Sequence, residues 1–173
     1  MNDSGPSFWD FSLQTYRRDG AEQACLGLQD ESGADVNLLL LCCFVARYGV
    51  RLTPAAMETL IRQAGVWQQE IVEPLRAVRR RLKQPVGSVL PEAAAPLRKA
   101  LQDSELEAER LEQEMLQAVL HTVGGLDGRD ADRPGLARRN VLDYLRFLGV
   151  SPEPPVRAAV ERLIACAFPE SAR

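Results

Sequence analysis

The apolar run from Leu38 to Ala46, LLLLCCFVA, constrains the fold of this chain more than any other feature. On a helix it puts apolar side chains on every face, and such a helix needs neighbours all round. The chain therefore reads as a helical domain built about a central helix, Asp35 to Tyr48. At roughly 21 Å that helix falls short of the ~30 Å of hydrocarbon a membrane span must cross. Immediately ahead of it, in LQDESGADVN, the polar residues Gln29, Asp30, Asp35 and Asn37 surround Gly33. Glycine commonly ends a helix by taking a left-handed conformation, and aspartate commonly caps the start of the next.

Amphipathic segments flank this centre. Ser7 caps a first helix, Phe8 to Arg18, with Phe8, Trp9, Ser12, Leu13 and Tyr16 at helical spacing, and a second runs from Ala21 to about Glu31. Thr53-Pro54 opens a helix whose stripe is Met57, Leu60, Ile61 and Ala64. Val66 to Lys83 follows with an apolar line of Trp67, Ile71, Leu75, Val78 and Leu82. Pro74 has no N–H to give the Glu70 carbonyl, which predicts a kink.

Gln84 to Ala95 reads as a mobile connection. The longest helix, Pro96 to Thr122, carries Leu97, Leu101, Ser104, Ala108, Leu111, Met115, Ala118 and Thr122 in a coiled-coil-like seam. After a loop from Gly124 to Gly135 come two more helices, Leu136 to Leu148 and Pro154 to Phe168. No stretch alternates as a strand does, and no internal repeat is evident. The fold class expected is all-α, a single globular bundle of about eight helices around a buried central helix. Residues 7–168 form the domain, with a disordered N-terminus at 1–6 and a tail at 169–173.

Several chemistries find no support. A net charge of −3 is unsuited to general polyanion binding, which depends on neutralising phosphates. His121 is the sole histidine, and Asp127, Asp130 and Asp132 lack the order of a calcium loop. The glutamates of the longest helix lack the Glu-x-x-His partners of di-iron bundles. Cys25, Cys42, Cys43 and Cys166 form no CxxC pair and read as small buried hydrophobes. No catalytic residue, cofactor or metal is assigned. The N-terminus has no basic region leading into an apolar stretch, so a cytoplasmic protein is expected.

Two polar features remain as candidate sites. RAVRRRLK presents Arg76, Arg79, Arg80, Arg81 and Lys83, while DSELEAERLEQE, Asp103 to Glu114, is strongly acidic. Opposed charge favours antiparallel pairing of those two helices, although exposed pairs each contribute only about 0–1 kcal/mol. The leading functional reading is a non-enzymatic interaction module that offers this arginine-rich face to another protein. The alternative is a small-ligand or enzymatic pocket at the start of the central helix, made by Gln29, Asp30, Asp35, Asn37 and Glu70. RNA or phosphate recognition by the arginine run ranks third, because the acidic helix repels a phosphate backbone.

FWDFSLQTYRRDGAEQACLGLQDESGADVNLLLLCCFVARYG, WQQEIVEPLRAVRRRLK and ELEAERLEQ together resemble a bacterial family of small helical cytoplasmic proteins known as a domain of unknown function. The resemblance covers about residues 8–120. It implies a helical fold and a bacterial origin, and it brings no activity and no site residues.

Overall fold

A computed structural model of the chain describes residues 6–123, 127–129 and 131–169. The expected disordered N-terminus and tail lie, apart from residues 6 and 169, outside the described residues. The helices are α1 Phe8–Tyr16, α2 Ala21–Ser32, α3 Val36–Arg47, α4 Pro54–Trp67, α5 Glu73–Arg81, α6 Ala95–Thr122, α7 Arg133–Phe147 and α8 Pro154–Ala167.

Helix α3 is the post of the bundle. Every residue from Asn37 to Ala46 is buried, and α3 touches α1, α2, α4, α6, α7 and α8. The Phe44 ring lies 5.1 Å from that of Phe8, 5.6 Å from Phe11 and 5.3 Å from Tyr48, so one aromatic cluster joins α1 to α3. Gly33, at φ 65, ends α2 by giving its N–H to the Gln29 carbonyl, and the Asp35 carboxylate caps α3 at the Asn37 N–H. No described helix is long and apolar enough to cross a membrane.

Helices α4 and α5 form one continuous rod, so the described residues hold seven helical rods rather than about eight. Between them Gln68–Val72 is a π turn, in which the Glu73 N–H reaches back to the Gln68 carbonyl. The extra residue absorbs the missing donor of Pro74, which stands in the first turn of α5. The backbone stays helical through the position where the proline predicts a kink.

Three further expectations need correction. The buried stripe of α6 is Glu105, Ala108, Glu112, Gln113, Leu116 and Leu120. Of the predicted seam only Ala108 is buried, with Leu101 and Met115 partly so, while Leu97, Ser104, Leu111, Ala118 and Thr122 face solvent. The reason is that α6 meets the arginines of α5 through Glu105 and the polar start of α3 through Glu112 and Gln113, so carboxyl and carboxamide groups stand where apolar side chains are expected.

Helix α7 starts three residues early, at Arg133. Asp132 caps it at the Gly135 N–H, and a Cβ on Gly135 would stand 1.9 Å from that carboxylate. The third correction concerns strands. Val50–Arg51 and Asp127–Arg129 pair antiparallel, a ribbon too short to leave an alternating pattern in the sequence. Part of the Gly124–Gly135 loop lies outside the described residues. The Gln84–Ala95 connection turns tightly at Gly87, where Val86 and Val89 bridge, and Arg98 donates to the carbonyls of Leu82 and Pro91.

Candidate functional site

Where the N-terminus of α3 meets α1, the end of α2, the π turn and α6, the bundle leaves a cavity of about 210 Å³. Its apolar wall is Trp9, Leu13, Leu26, Leu40 and Leu106, joined by Tyr16, and its polar floor includes Ser12, Asp35, Asn37, Gln68 and Gln113. Burial pushes the Tyr16 hydroxyl up to about 12, which keeps it neutral at physiological pH.

The floor is a connected hydrogen-bond network. Ser12 Oγ donates to Gln113 Oε1 at 2.9 Å, and Gln113 Nε2 to Asn37 Oδ1 at 2.7 Å. Asn37 Nδ2 and Gln68 Nε2 both donate to Glu112 Oε2, at 2.7 and 2.8 Å. The Asp35 N–H donates to the Tyr144 hydroxyl at 2.8 Å, which ties the floor to α7. Each side chain is held by its neighbours, and a buried polar network of this kind stiffens the geometry of the floor.

The oxygens left over explain the electrostatics. Asp35 Oδ2 and Glu112 Oε1 are buried, and no N–H or hydroxyl group reaches either. The two carboxyl groups lie within hydrogen-bonding reach of each other, and one proton held between them accounts for both atoms. Burial first, and then the Asp35 charge, pushes Glu112 up to about 9. Burial likewise raises Asp35. At neutral pH the pair therefore holds a proton inside the fold.

Beside this floor, α5 lies against α6 through ions. Arg76 Nε and Arg79 Nε donate to Glu105 at 2.8 and 2.5 Å, and Arg76 also reaches Glu109 at 3.0 Å. Burial works against ionisation of Glu105, but Arg79 and Arg76 outweigh it and hold its carboxyl below the usual range. Burial raises Glu109, with Arg76 opposing.

The two sequence-predicted sites are thus redistributed. Gln29, Asp35 and Asn37 line one cavity, together with Arg76. Asp30 and Glu70 do not join them; both are exposed, since the helical turns that carry them face outward. In the arginine run, Arg76 and Arg79 are turned inward onto glutamates. Arg80, Arg81 and Lys83 are exposed, and Arg81 donates to the Pro85 carbonyl.

Ser12, Gln68, Glu112 and Gln113 went unassigned at the sequence level. Ser12 carried a signal, a hydroxyl inside an apolar stripe. Glu112 and Gln113 carried none, being hidden in a run of acids.

A family model described as a protein of unknown function, DUF2390, matches residues 7–116. The chain belongs to the DUF2390 family. Every residue lining the cavity, from Trp9 to Gln113, falls inside the DUF2390 match, whereas Tyr144 is contributed from beyond it. Neither the curated proteins nor the solved structures compared with the chain include a match.

Proposed function

We propose that the DUF2390 domain binds a small organic ligand in the cavity at the start of α3. The observation that carries this reading is the pairing of an apolar, aromatic wall with a floor of carboxamides and carboxyls already fixed by hydrogen bonds. Small-molecule sites have this character, a mostly apolar surface with a few oriented polar groups. Membership of DUF2390 supplies no competing activity.

The test is a thermal-shift screen with small metabolites, followed by titration of Trp9 fluorescence, since Trp9 lines the cavity. A ligand at a hundred times its Kd adds about 2.7 kcal/mol, or roughly 5–10 °C at this chain length. Leu106 lines the cavity yet is 49% exposed, so Leu106→Trp fills the space without disturbing the core. Binding is expected to weaken at least tenfold in that variant with an unchanged melting temperature. Equal binding by the filled variant would remove the cavity from consideration.

A second reading, protein interaction, is supported by the hairpin of α5 and α6. Arg80, Arg81 and Lys83 stand exposed there, close in sequence to the exposed Val78, Val86, Val89 and Leu90. Arg80→Glu with Lys83→Glu is expected to abolish retention of a specific partner in a nuclease-treated pull-down. Retention that disappears on nuclease treatment of the wild type would instead mean RNA. The bacterial cytosol is the setting proposed for either reading, supported by four buried cysteines, none in a disulfide.

A further inference from the structure

We infer that the ligand of this cavity is an organic cation, an amine or guanidine on a compact apolar body, held with its charge against Asp35 and Glu109. The inference rests on the cavity reading above and adds to it the chemical class of the ligand.

The first support is the inventory of donors. Asn37 Nδ2 and Gln68 Nε2 point to Glu112, Gln113 Nε2 to Asn37, and the single Ser12 hydroxyl proton to either Gln113 Oε1 or the Phe8 carbonyl. Arg76 engages Glu105 and Glu109. Each donor group of the floor therefore has a partner within the protein. Among the acceptors, Asp35 Oδ2 is met by no N–H or hydroxyl group and relies on the proton it shares with Glu112. A ligand that brings donors suits the carboxyl groups of Asp35 and Glu109, which line the cavity.

The second support is charge. Four carboxyl groups, those of Asp35, Glu105, Glu109 and Glu112, gather around two guanidiniums, Arg76 and Arg79. Carboxyl groups thus outnumber guanidiniums in this cluster. The same balance disfavours an anion: Arg76, the one basic side chain lining the cavity, already faces two glutamates.

The third support is the wall. Trp9 and Tyr16 line the cavity, and aromatic rings attract cations through their quadrupoles, while Leu13, Leu40 and Leu106 offer apolar cover. Among the described residues no three acidic, histidine or cysteine side chains converge as a metal site. An organic cation fits such surroundings better than a hydrated metal ion.

The experiment compares three molecules that share one apolar body: benzylamine, benzyl alcohol and benzoate. Binding to the full chain is followed by Trp9 fluorescence in a Trp67→Phe background. Benzylamine, cationic at pH 7, is expected to bind at least tenfold more tightly than benzyl alcohol, and benzoate more weakly than either. Asp35→Asn keeps a residue suited to capping α3 and should bring amine and alcohol to equal affinity, with a second loss of preference in Glu109→Gln.

Equal affinity of amine and alcohol in the wild type would overturn the inference and leave the cavity reading standing. The same holds if benzylamine fails to bind while other metabolites in the thermal-shift screen do. If nothing in that screen binds, or if bound metabolites ignore Leu106→Trp, the cavity reading falls and the inference falls with it.

Discussion

Glu112→Gln is expected to stabilise the protein increasingly as the pH rises from about 5 to 9. In the fold Glu112 is held near 9, against 4.5 for an ordinary glutamate. Below about 4.5 both folded and unfolded chains carry this proton, and its contribution to stability is fully present. Between 4.5 and 9 the folded chain keeps a proton that the unfolded chain has lost, so stability falls with rising pH. That loss amounts to roughly 1 kcal/mol per pH unit for one proton. Above 9 both states are ionised and the contribution is gone. Asp35, also raised by burial, acts in the same direction.

A glutamine at 112 imitates the protonated acid at every pH. Its amide donates to Asp35, and its carbonyl accepts from Asn37 and Gln68. The variant should match the wild type near pH 5 and exceed it by roughly 2–4 kcal/mol at pH 9. Glu112→Ala should lose roughly 3–5 kcal/mol at neutral pH, because it strands two amide donors and a buried Asp35.

Glu105, Glu107 and Glu161 are held below the usual range by arginines, and their contributions fade as the pH falls. The difference between variant and wild type removes that common background. Urea unfolding followed by tryptophan fluorescence at pH 5, 7 and 9 measures it. Parallel stability curves would show that no proton is held between Asp35 and Glu112.

The contrast between Asp35 and Glu112 shows how much of this site was legible in the sequence. Asp35 and Asn37 stand at a helix start ahead of an apolar run, where their chemistry is conspicuous. Glu112 lies in DSELEAERLEQE, where composition implies a solvated face. Apolar periodicity reports only those faces of a helix that are buried against hydrocarbon. In α6 it favoured Leu97, Leu111 and Ala118, because the stripe in use, Glu105, Ala108, Glu112, Gln113, Leu116 and Leu120, is half polar.

The charge pattern was informative where the periodicity failed. It brought RAVRRRLK and the acidic helix together, and Arg76 and Arg79 do meet Glu105 and Glu109. The same meeting withdraws those two arginines from the surface, which lowers the interaction reading relative to the cavity. The central helix was legible for the simplest reason. Nine consecutive apolar residues admit no solvent-facing side.

Asn140→Ala is expected to lower the melting temperature by roughly 6–16 °C, from a loss of about 3–4 kcal/mol in a chain of this length. Asn140 is completely buried on α7, in the stripe of Leu136, Ala137, Val141 and Tyr144. Its Oδ1 accepts the Leu52 N–H at 3.1 Å, and its Nδ2 donates to the carbonyls of Cys42 and Val50, each at 3.2 Å. One carboxamide therefore closes the backbone where α3 hands over to the Val50–Arg51 strand. Alanine leaves the Leu52 N–H buried without an acceptor, and an orphaned buried donor costs more than the bond it lost. Asn140→Asp separates this account from simple loss of volume. Aspartate keeps the size and the acceptor but aims a second oxygen at two carbonyls, so it should destabilise at least as much as alanine. A well-tolerated Asn140→Asp, measured by calorimetry at pH 7, would mean that the site is held by packing and that the polar closure is incidental.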